Sequence, residues 1–89
     1  MASILMHSRV KNYEEWRKVF ESNAGLRASN GRLSEQVFRD ASDPNVVFIL
    51  LKWNSLANAQ KFAQSPELKA AMEKAGVEGP PHFHFLNET

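Results

Sequence analysis

The sequence predicts an α+β domain in which a four-stranded antiparallel sheet carries its helices on one face. Three observations lead to this prediction. Strand and helix patterns follow one another in the order β-α-β-β-α-α-β. Only a turn separates the second strand from the third, so these two should pair antiparallel. The 89 residues suit a single domain spanning positions 1–89. This is the ferredoxin-like split βαβ layout with its second helix broken in two.

The first half of the chain is predicted to form a strand, a helix and a second strand. Ile4 to Val10 alternates apolar and polar side chains, as a half-buried strand does. Asn12 can cap the helix that follows, which carries aromatic residues at helical spacing. Ser29-Asn30-Gly31 should end this helix, because glycine adopts the left-handed cap conformation. Leu33 to Asp40 is the second strand.

The second half is predicted to form a strand, two short helices and a last strand. Ser42 to Asn45 has the composition of a turn, and the β-branched run that starts at Val46 and ends at Trp53 follows at hairpin distance. Ser55 can cap the first helix, and Ser65-Pro66 supplies a cap and a first helical position for the second. After a Gly-Pro-Pro break, His82 to Leu86 is the last strand.

Composition excludes several classes of function. Eleven basic and ten acidic residues leave a net charge of +1, which provides no electrostatic surface for nucleic acid or an anionic membrane. The absence of cysteine excludes disulfides and thiolate metal sites. The longest apolar run, Val46 to Leu51, is too short to span a membrane. Without a secretory signal at the start of the chain, we expect a cytoplasmic protein.

The third strand predicts a homodimer. Val47, Ile49, Leu51 and Trp53 should point to one side of the sheet, whereas Val46, Phe48 and Leu50 should point to the other. A strand that is apolar on both faces must be covered on both faces, yet the split βαβ layout places helices on only one. Exposing each large side chain forgoes about 1.5–3 kcal/mol. A second copy packed face to face is the simplest cover. The alternative is a monomer whose second face is half covered by loops.

Four segments resemble one family. They are the opening Val10-Lys-Asn-Tyr-Glu-Glu-Trp16, the strand end Lys52-Trp53-Asn54-Ser55, the helix Leu56-Ala-Asn-Ala-Gln-Lys-Phe62, and Ser65-Pro66-Glu67-Leu68-Lys-Ala-Ala-Met72. In order and spacing they are similar to antibiotic-biosynthesis-monooxygenase-like proteins of the dimeric α+β barrel superfamily. The resemblance implies a homodimer whose two sheets form a barrel, with one cavity per subunit between sheet and helices. We also expect a cavity for a small molecule and place it on the open face of the sheet. The sequence does not determine, however, which face of the sheet lines the cavity.

Only some of the family's functional residues have a counterpart in this chain. A tryptophan that lines the cavity at the end of the third strand recurs in the oxygenase and haem-degrading branches, and Trp53 occupies that position. The haem branch also needs a histidine on the last helix, where this chain has Met72, so haem binding is disfavoured. The asparagine that some members carry on the first strand has no counterpart among Met6, His7 and Ser8. The set of oxygenase residues therefore does not carry over intact, and with haem disfavoured we expect no cofactor.

The three histidines are the candidates for acid–base chemistry, because only imidazole ordinarily titrates near neutral pH. His82 and His84 should face the same side of the last strand, opposite Phe83 and Phe85. They could bind a metal, but two ligands do not make a zinc site, so we predict none. Two strand histidines, one solvated and one hydrogen-bonded, are the simpler interpretation. His7 could approach His84 across the sheet and take a proton from a phenol or enol, which makes these two the candidate catalytic residues.

Three further residues are candidates for substrate binding. Trp53 could stack against a planar ligand, or it could be an aromatic plug in the core. His82 lies beside the candidate catalytic pair, and Arg39 could pair with an anionic group of the substrate, although an exposed strand-end arginine is the simpler interpretation.

Two functions follow as hypotheses. The first is a cofactor-independent monooxygenase or polyketide cyclase that acts on an aromatic or quinol-type substrate, as the resemblance implies. The second is a homodimeric ligand-binding or structural module without catalysis, whose cavity would be filled by side chains such as Trp53. The sequence does not distinguish them.

Overall fold

The computed structural model describes residues 2–89, apart from the side chain of Pro80. None of the helices in this range has the length and apolarity that crossing a bilayer requires. The elements in chain order are β1 (Ala2–Val10), α1 (Tyr13–Ser22), α2 (Ala24–Ser29), β2 (Arg32–Arg39), β3 (Val46–Trp53), α3 (Leu56–Ala63), α4 (Pro66–Lys74) and β4 (Val77–Asn87).

The strands form one antiparallel sheet in the order β2-β3-β1-β4, and the helices pack against one of its faces. The predicted α+β, ferredoxin-like fold is therefore confirmed. The sheet is open, because β2 and β4 lie at its two edges and do not pair with each other. We call the side that carries the helices the helix face and the bare side the open face.

Alternation along the central strands divides the side chains between the two faces as predicted. Every second residue of β1 and β3, from Ala2 and from Val47 onward, is buried on the helix face. The residues between them lie on the open face, where most are only half-buried. Trp16 of α1 and Phe62 of α3 complete the core on the helix face. Trp16 is therefore a core residue.

Side-chain caps define where three of the helices begin. The Asn12 side chain accepts a hydrogen bond from the Glu15 backbone N–H at 3.0 Å at the start of α1. Ser55 caps α3 in the same way, and Ser65 caps α4 with a proline directly after it. Each cap satisfies a backbone donor that the first helical turn leaves free. All three cap predictions are confirmed.

The first helical segment differs from its prediction, because it is two helices with a break at Asn23. The Ser22 hydroxyl and the Asn23 side-chain amide both donate to the Val19 carbonyl, at 2.8 and 2.9 Å. These side chains offer that carbonyl partners other than the backbone N–H of a continuing helix. The break changes the direction of the chain, so that α2 brings Arg27 into the core.

The last strand begins at Val77, five positions earlier than predicted. Its pairing with β1 is irregular: His7 pairs with His82 and Arg9 pairs with Glu78, so residues 79–81 bulge opposite Ser8. Gly79 has a φ of 71°, which suits a glycine. A proline cannot donate to a strand ladder, but a bulge on an edge strand removes that need. The Gly-Pro-Pro segment is therefore part of the strand and does not break it.

Candidate functional site

The three histidines meet on the open face, where the first and last strands pair. His7 of β1 lies directly opposite His82 of β4, and their ring centroids are 4.6 Å apart with an interplanar angle of 12°. The ring of His84, which lies on the same last strand and pairs with Leu5, is also nearly parallel to His7, at 5.8 Å. The predicted approach of His7 to His84 is thus present in the structure, and His82 joins them.

An aromatic row crosses the open face through these histidines. The strand register places Phe38, Phe48, His7 and His82 side by side on the four successive strands. The rings of Phe48 and His7 stack at 5.1 Å. We call these four residues the aromatic row. Phe38 at its end is 50% exposed, so this flat surface has no cover in the single subunit.

The environment of His7 favours its neutral form. Burial lowers the pKa of His7 below its ordinary value of 6.5, and the neighbouring charges of His82 and His84 lower it further. The parallel imidazoles present their faces to one another, whereas metal ligands converge their nitrogen atoms on one point. Within residues 2–89, no cluster of three His, Asp or Glu side chains is arranged to bind a metal ion.

Trp53 lies on the opposite side of the sheet from the histidines. Its side chain is fully buried on the helix face and packs against Phe62, with ring centroids 4.9 Å apart. The sequence placed Trp53 and the histidines together as candidates for one site, but the sheet separates them. The indole N–H is buried and has no acceptor among the described residues, an exception among buried donors. A ligand oxygen or a water molecule would satisfy it.

Arg39 is remote from both groups of residues. It is exposed at the end of β2, where its guanidinium carbon lies 4.1 Å from the centroid of the Tyr13 ring. Its Nε donates to the Pro44 carbonyl at 3.0 Å. In the single subunit Arg39 therefore fastens the β2–β3 turn to the first helix, in agreement with the simpler interpretation of this residue.

A cavity of about 50 Å³ lies between the helices and the sheet. Its wall is almost entirely apolar, and among the described residues Asn23 and Arg27 are the only polar ones that line it. Trp16, Phe20 and Phe62 supply aromatic walls, whereas Trp53 does not line it. A larger surface groove of about 600 Å³ runs between α4 and β4. Met72 lines both the cavity and the groove.

Arg27 is the functional candidate that the sequence analysis missed. Its side chain is only 5% exposed, and its Nε and Nη2 donate to the two carboxylate oxygens of Glu35 at 2.9 and 3.0 Å. Nη1 donates to the Phe20 carbonyl at 2.8 Å, and the guanidinium lies 3.8 Å over the ring of the same residue. Arginine is usually exposed, and no periodic pattern marks this one as buried. Only the break before α2 turns it inward.

A second arginine leaves this buried group with an excess positive charge. Arg32 Nε lies 3.1 Å from the same Glu35 carboxylate, close enough for charge attraction although no hydrogen bond forms. Arg32 Nη2 donates to the Ala24 carbonyl at 3.0 Å. Two guanidinium groups thus share one carboxylate, and the cluster carries a net charge of +1 beside the apolar cavity. Low-dielectric surroundings strengthen the attraction of such a charge for an anion.

Comparison with known proteins identifies the family. The antibiotic biosynthesis monooxygenase family model matches residues 5–74. The chain belongs to this family. The fold recurs in a candidate family member from Bordetella bronchiseptica, with a TM-score of 0.81 at 15% identity over 99% of this chain and 96% of that one. A second candidate member, from Caulobacter crescentus CB15, gives a TM-score of 0.78 at 21% identity over 99% and 89%.

A third similar structure is SnoaB from Streptomyces nogalater, described as a cofactor-independent oxygenase. It has a TM-score of 0.79 at 13% identity, with 99% of this chain and 92% of that chain covered. At such low identities the shared feature is the fold. No curated protein matches the sequence.

Proposed function

We propose that this chain is a cofactor-independent monooxygenase that oxidises a phenolic or quinol-type aromatic molecule bound between the sheet and the helices. Membership of the antibiotic biosynthesis monooxygenase family supports the class of reaction, and the similar fold of the cofactor-independent oxygenase SnoaB supports it further. The substrate class is our inference from the walls of the cavity. A cytoplasmic location stays a prediction from the sequence.

The observation that carries this proposal is the buried positive charge on an otherwise apolar wall. Arg27 lines the cavity while its charge is shared, together with that of Arg32, by the single carboxylate of Glu35. Aromatic walls suit a planar ring, and a nearby cation lowers the pKa of a bound phenol by stabilising its phenolate. Arg27 has five N–H donors and uses three of them in the structure, so two remain for a substrate oxygen.

The phenolate can supply all the electrons that the reaction needs. In a substrate whose CH₂ group loses one proton to form the phenolate, oxidation of that carbon to C=O releases four electrons relative to the neutral substrate. One oxygen atom of O₂ becomes the new carbonyl oxygen, and the other leaves as water with the two hydrogens of the CH₂ group. O₂ accepts the same four electrons, so neither a metal nor an external reductant is required. The protein's contributions are to bind the ring and to favour its anion.

The size of the cavity requires movement before a substrate can bind. A cavity of about 50 Å³ is too small for an aromatic molecule, because even benzene occupies a site of roughly 150 Å³. The groove between α4 and β4 offers more space, and Met72 lines both the groove and the cavity. Methionine has a flexible, unbranched side chain that can change its packing. We infer that the substrate enters from the groove by displacing Met72.

The histidines have no part in this proposal, because the sheet lies between them and the cavity. A catalytic role for His7 and His84, with ligand contacts from His82, would require a second site on the open face. Trp53 lies on the same side as the cavity, and its unsatisfied N–H supports a contact with ligand once the core opens.

The test is oxidation of anthrone, a tricyclic phenol tautomer that carries the required CH₂ group. We expect one O₂ consumed per anthraquinone formed and one ¹⁸O atom from ¹⁸O₂ in the product, without added metal or reductant. Arg27→Met should reduce kcat/KM at least tenfold, Arg27→Lys should restore part of the loss, and Arg39→Met should stay within twofold of the unchanged protein. Circular dichroism must show that each variant is folded. Equal activity of Arg27→Met and the unchanged protein would refute the role of Arg27.

The second candidate is a ligand-binding or structural module without catalysis. The small cavity and the complete burial of Trp53 favour it, because both indicate that side chains fill the interior. It predicts no oxygen uptake above the rate without protein for anthrone and related phenols. A dissociation constant for anthrone in the micromolar range without turnover would identify a binding module.

We also propose that the working form is a homodimer, in which a second copy covers the open face. That face carries half-buried and exposed apolar side chains from all four strands, among them Leu5, Phe38, Phe48, Leu50 and Leu86. Exposed apolar patches of this kind mark interaction sites. Sedimentation velocity at low micromolar concentration should give twice the mass of one chain. A well-folded monomer would contradict this assembly.

A further inference from the structure

We propose that the aromatic row is the centre of the contact between two copies of this chain, and that its imidazoles make the association depend on pH. The copies bind each other while the imidazoles are neutral and separate when the imidazoles take up protons. The inference rests on the homodimer proposed above and adds a mechanism that controls it.

The aromatic row crosses all four strands and can act as a contact surface. Phe38, Phe48, His7 and His82 are direct neighbours across the four strands. The imidazole rings lie nearly parallel, with interplanar angles of 12° to His82 and 15° to His84. Neutral imidazole can pack against an aromatic ring much as phenylalanine does. The row therefore suits burial under another sheet, which packs at about 10 Å in sheet-on-sheet structures.

A second copy fits the area that has to be covered. Four strands about 4.8 Å apart and eight residues long form a sheet about 19 Å wide and 26 Å long. Such a face projects to about 500 Å², which is of the same order as the roughly 800 Å² per partner of a stable interface. The helices pack on the other face of the sheet, so they do not cover it.

The charged groups on this face stand at its two ends, away from the histidines. At one end Arg9 of β1 pairs with Asp43 and lies opposite Glu78 of β4. At the other end Lys52 of β3 lies 3.8 Å from Glu88. Between these ends, β2 presents only uncharged side chains to this face. Within residues 2–89, no carboxylate lies within ion-pair distance of an imidazole.

Protonated imidazoles would therefore be buried without a counter-charge. In the dimer each histidine would lose contact with water and face the other histidines of its own copy and those of the second copy. Both effects penalise the charged form. Within one subunit they already act on His7, whose pKa is lowered first by burial and then by its two neighbours.

The sign of the pH dependence follows from this penalty. The dimer binds fewer protons than two monomers do, so association is strongest above the ordinary imidazole pKa of about 6.5. As the pH falls below that value, monomers take up protons that the dimer excludes, and the dimer dissociates. No other side chain of ordinary pKa in this chain titrates between pH 7.5 and 5.5, because it contains no cysteine and only these three histidines.

The experiment measures the dimer dissociation constant by sedimentation velocity at pH 7.5 and pH 5.5, in 0.15 M salt, from about 0.1 to 100 μM protein. For the unchanged protein we expect the dissociation constant to be at least tenfold higher at pH 5.5 than at pH 7.5. A tenfold rise is the effect of one proton that the monomers bind and the dimer excludes, over a fall of one pH unit. The combined variant His7→Gln, His82→Gln, His84→Gln should bind with the same constant at both pH values, within threefold. Phe38→Ser should weaken association at both pH values and keep the pH response. Circular dichroism at each pH verifies folding.

Each failure has a different meaning. A dimer with the same dissociation constant at both pH values would overturn the role of the imidazoles and leave the homodimer intact. So would a glutamine variant that keeps the full pH response. A folded monomer at 100 μM and pH 7.5 would overturn the homodimer itself, and this inference with it.

Discussion

Arg27 and Glu35 form a two-pronged ion pair that joins α2 to β2, with Nε–Oε1 and Nη2–Oε2 distances of 2.9 and 3.0 Å. The arginine is almost completely buried, and the carboxylate is 22% exposed. Parallel hydrogen bonds between charged groups are the strongest that proteins form. The pair therefore holds the small second helix against the sheet and keeps the positive charge at the wall of the cavity.

Breaking this pair should destabilise the fold strongly. Arg27→Met removes the guanidinium and leaves Glu35 with only Arg32 as a partner, so we expect a loss of about 3 kcal/mol in the free energy of unfolding. Arg17→Met is the matched control, because Arg17 forms an exposed ion pair with Glu21 whose loss should cost about 0.5 kcal/mol or less. Urea unfolding at pH 7.5 measures both. Similar losses for the two variants would show that burial does not strengthen the inner pair.

Two glycines should respond in opposite directions to substitution by alanine. Gly31 has a φ of 112°, and a Cβ atom there would lie 2.5 Å from the Asn54 side-chain oxygen. Gly31→Ala should therefore cost about 1–3 kcal/mol. Gly25 lies in α2 with open space around it. Gly25→Ala should stabilise the protein by about 0.5–1 kcal/mol, because alanine favours the helix. Thermal unfolding of the two variants gives the comparison, and equal shifts of Tm would contradict it.

Shortening Met72 should open a path between the cavity and the groove. Met72→Ala truncates a side chain that lines both of them, so we expect a loss of about 2 kcal/mol in stability and tighter binding of small apolar molecules. Lys69→Ala is the control, because Lys69 lines only the groove and is exposed. The measurement is naphthalene binding by calorimetry or ligand-detected NMR, with at least fivefold tighter binding expected for Met72→Ala than for Lys69→Ala. Equal affinities would show that Met72 does not control access.

The turn between β2 and β3 should lose stability in acid. The backbone N–H of Asn45 and the guanidinium of Arg9 hold the pKa of Asp43 below its ordinary value of 3.8. Because the folded state keeps this carboxylate charged, its contribution is present above pH 3.8 and disappears as the pH falls through the lowered value. Asp43→Asn should be less stable than the unchanged protein at pH 7, and the difference should shrink toward zero near pH 2.

Urea unfolding from pH 7 to pH 2 measures the difference in the free energy of unfolding between Asp43→Asn and the unchanged protein. Glu73→Gln is the control, since Glu73 is an exposed carboxylate of α4 that makes no ion pair in the described part of the chain. Its difference from the unchanged protein should stay nearly constant over the same range. A constant difference for Asp43→Asn as well would rule out the contribution of this carboxylate.

The sequence by itself determined which face of each element is apolar. Alternation along the strands and capping residues at the helices are local properties, so they predicted the element order, the two-sided third strand and the common face of His82 and His84.

Only the tertiary structure decided which elements meet. The bulge of β4 opposite Ser8 and the register at His7 brought the three histidines into one stack, while the break at Asn23 carried Arg27 to Glu35. The tertiary structure also places the sheet between Trp53 and those histidines, and the cavity between the helices and the sheet has a volume of only about 50 Å³. Local patterns could not reveal these features, because each depends on contacts between residues far apart in the chain.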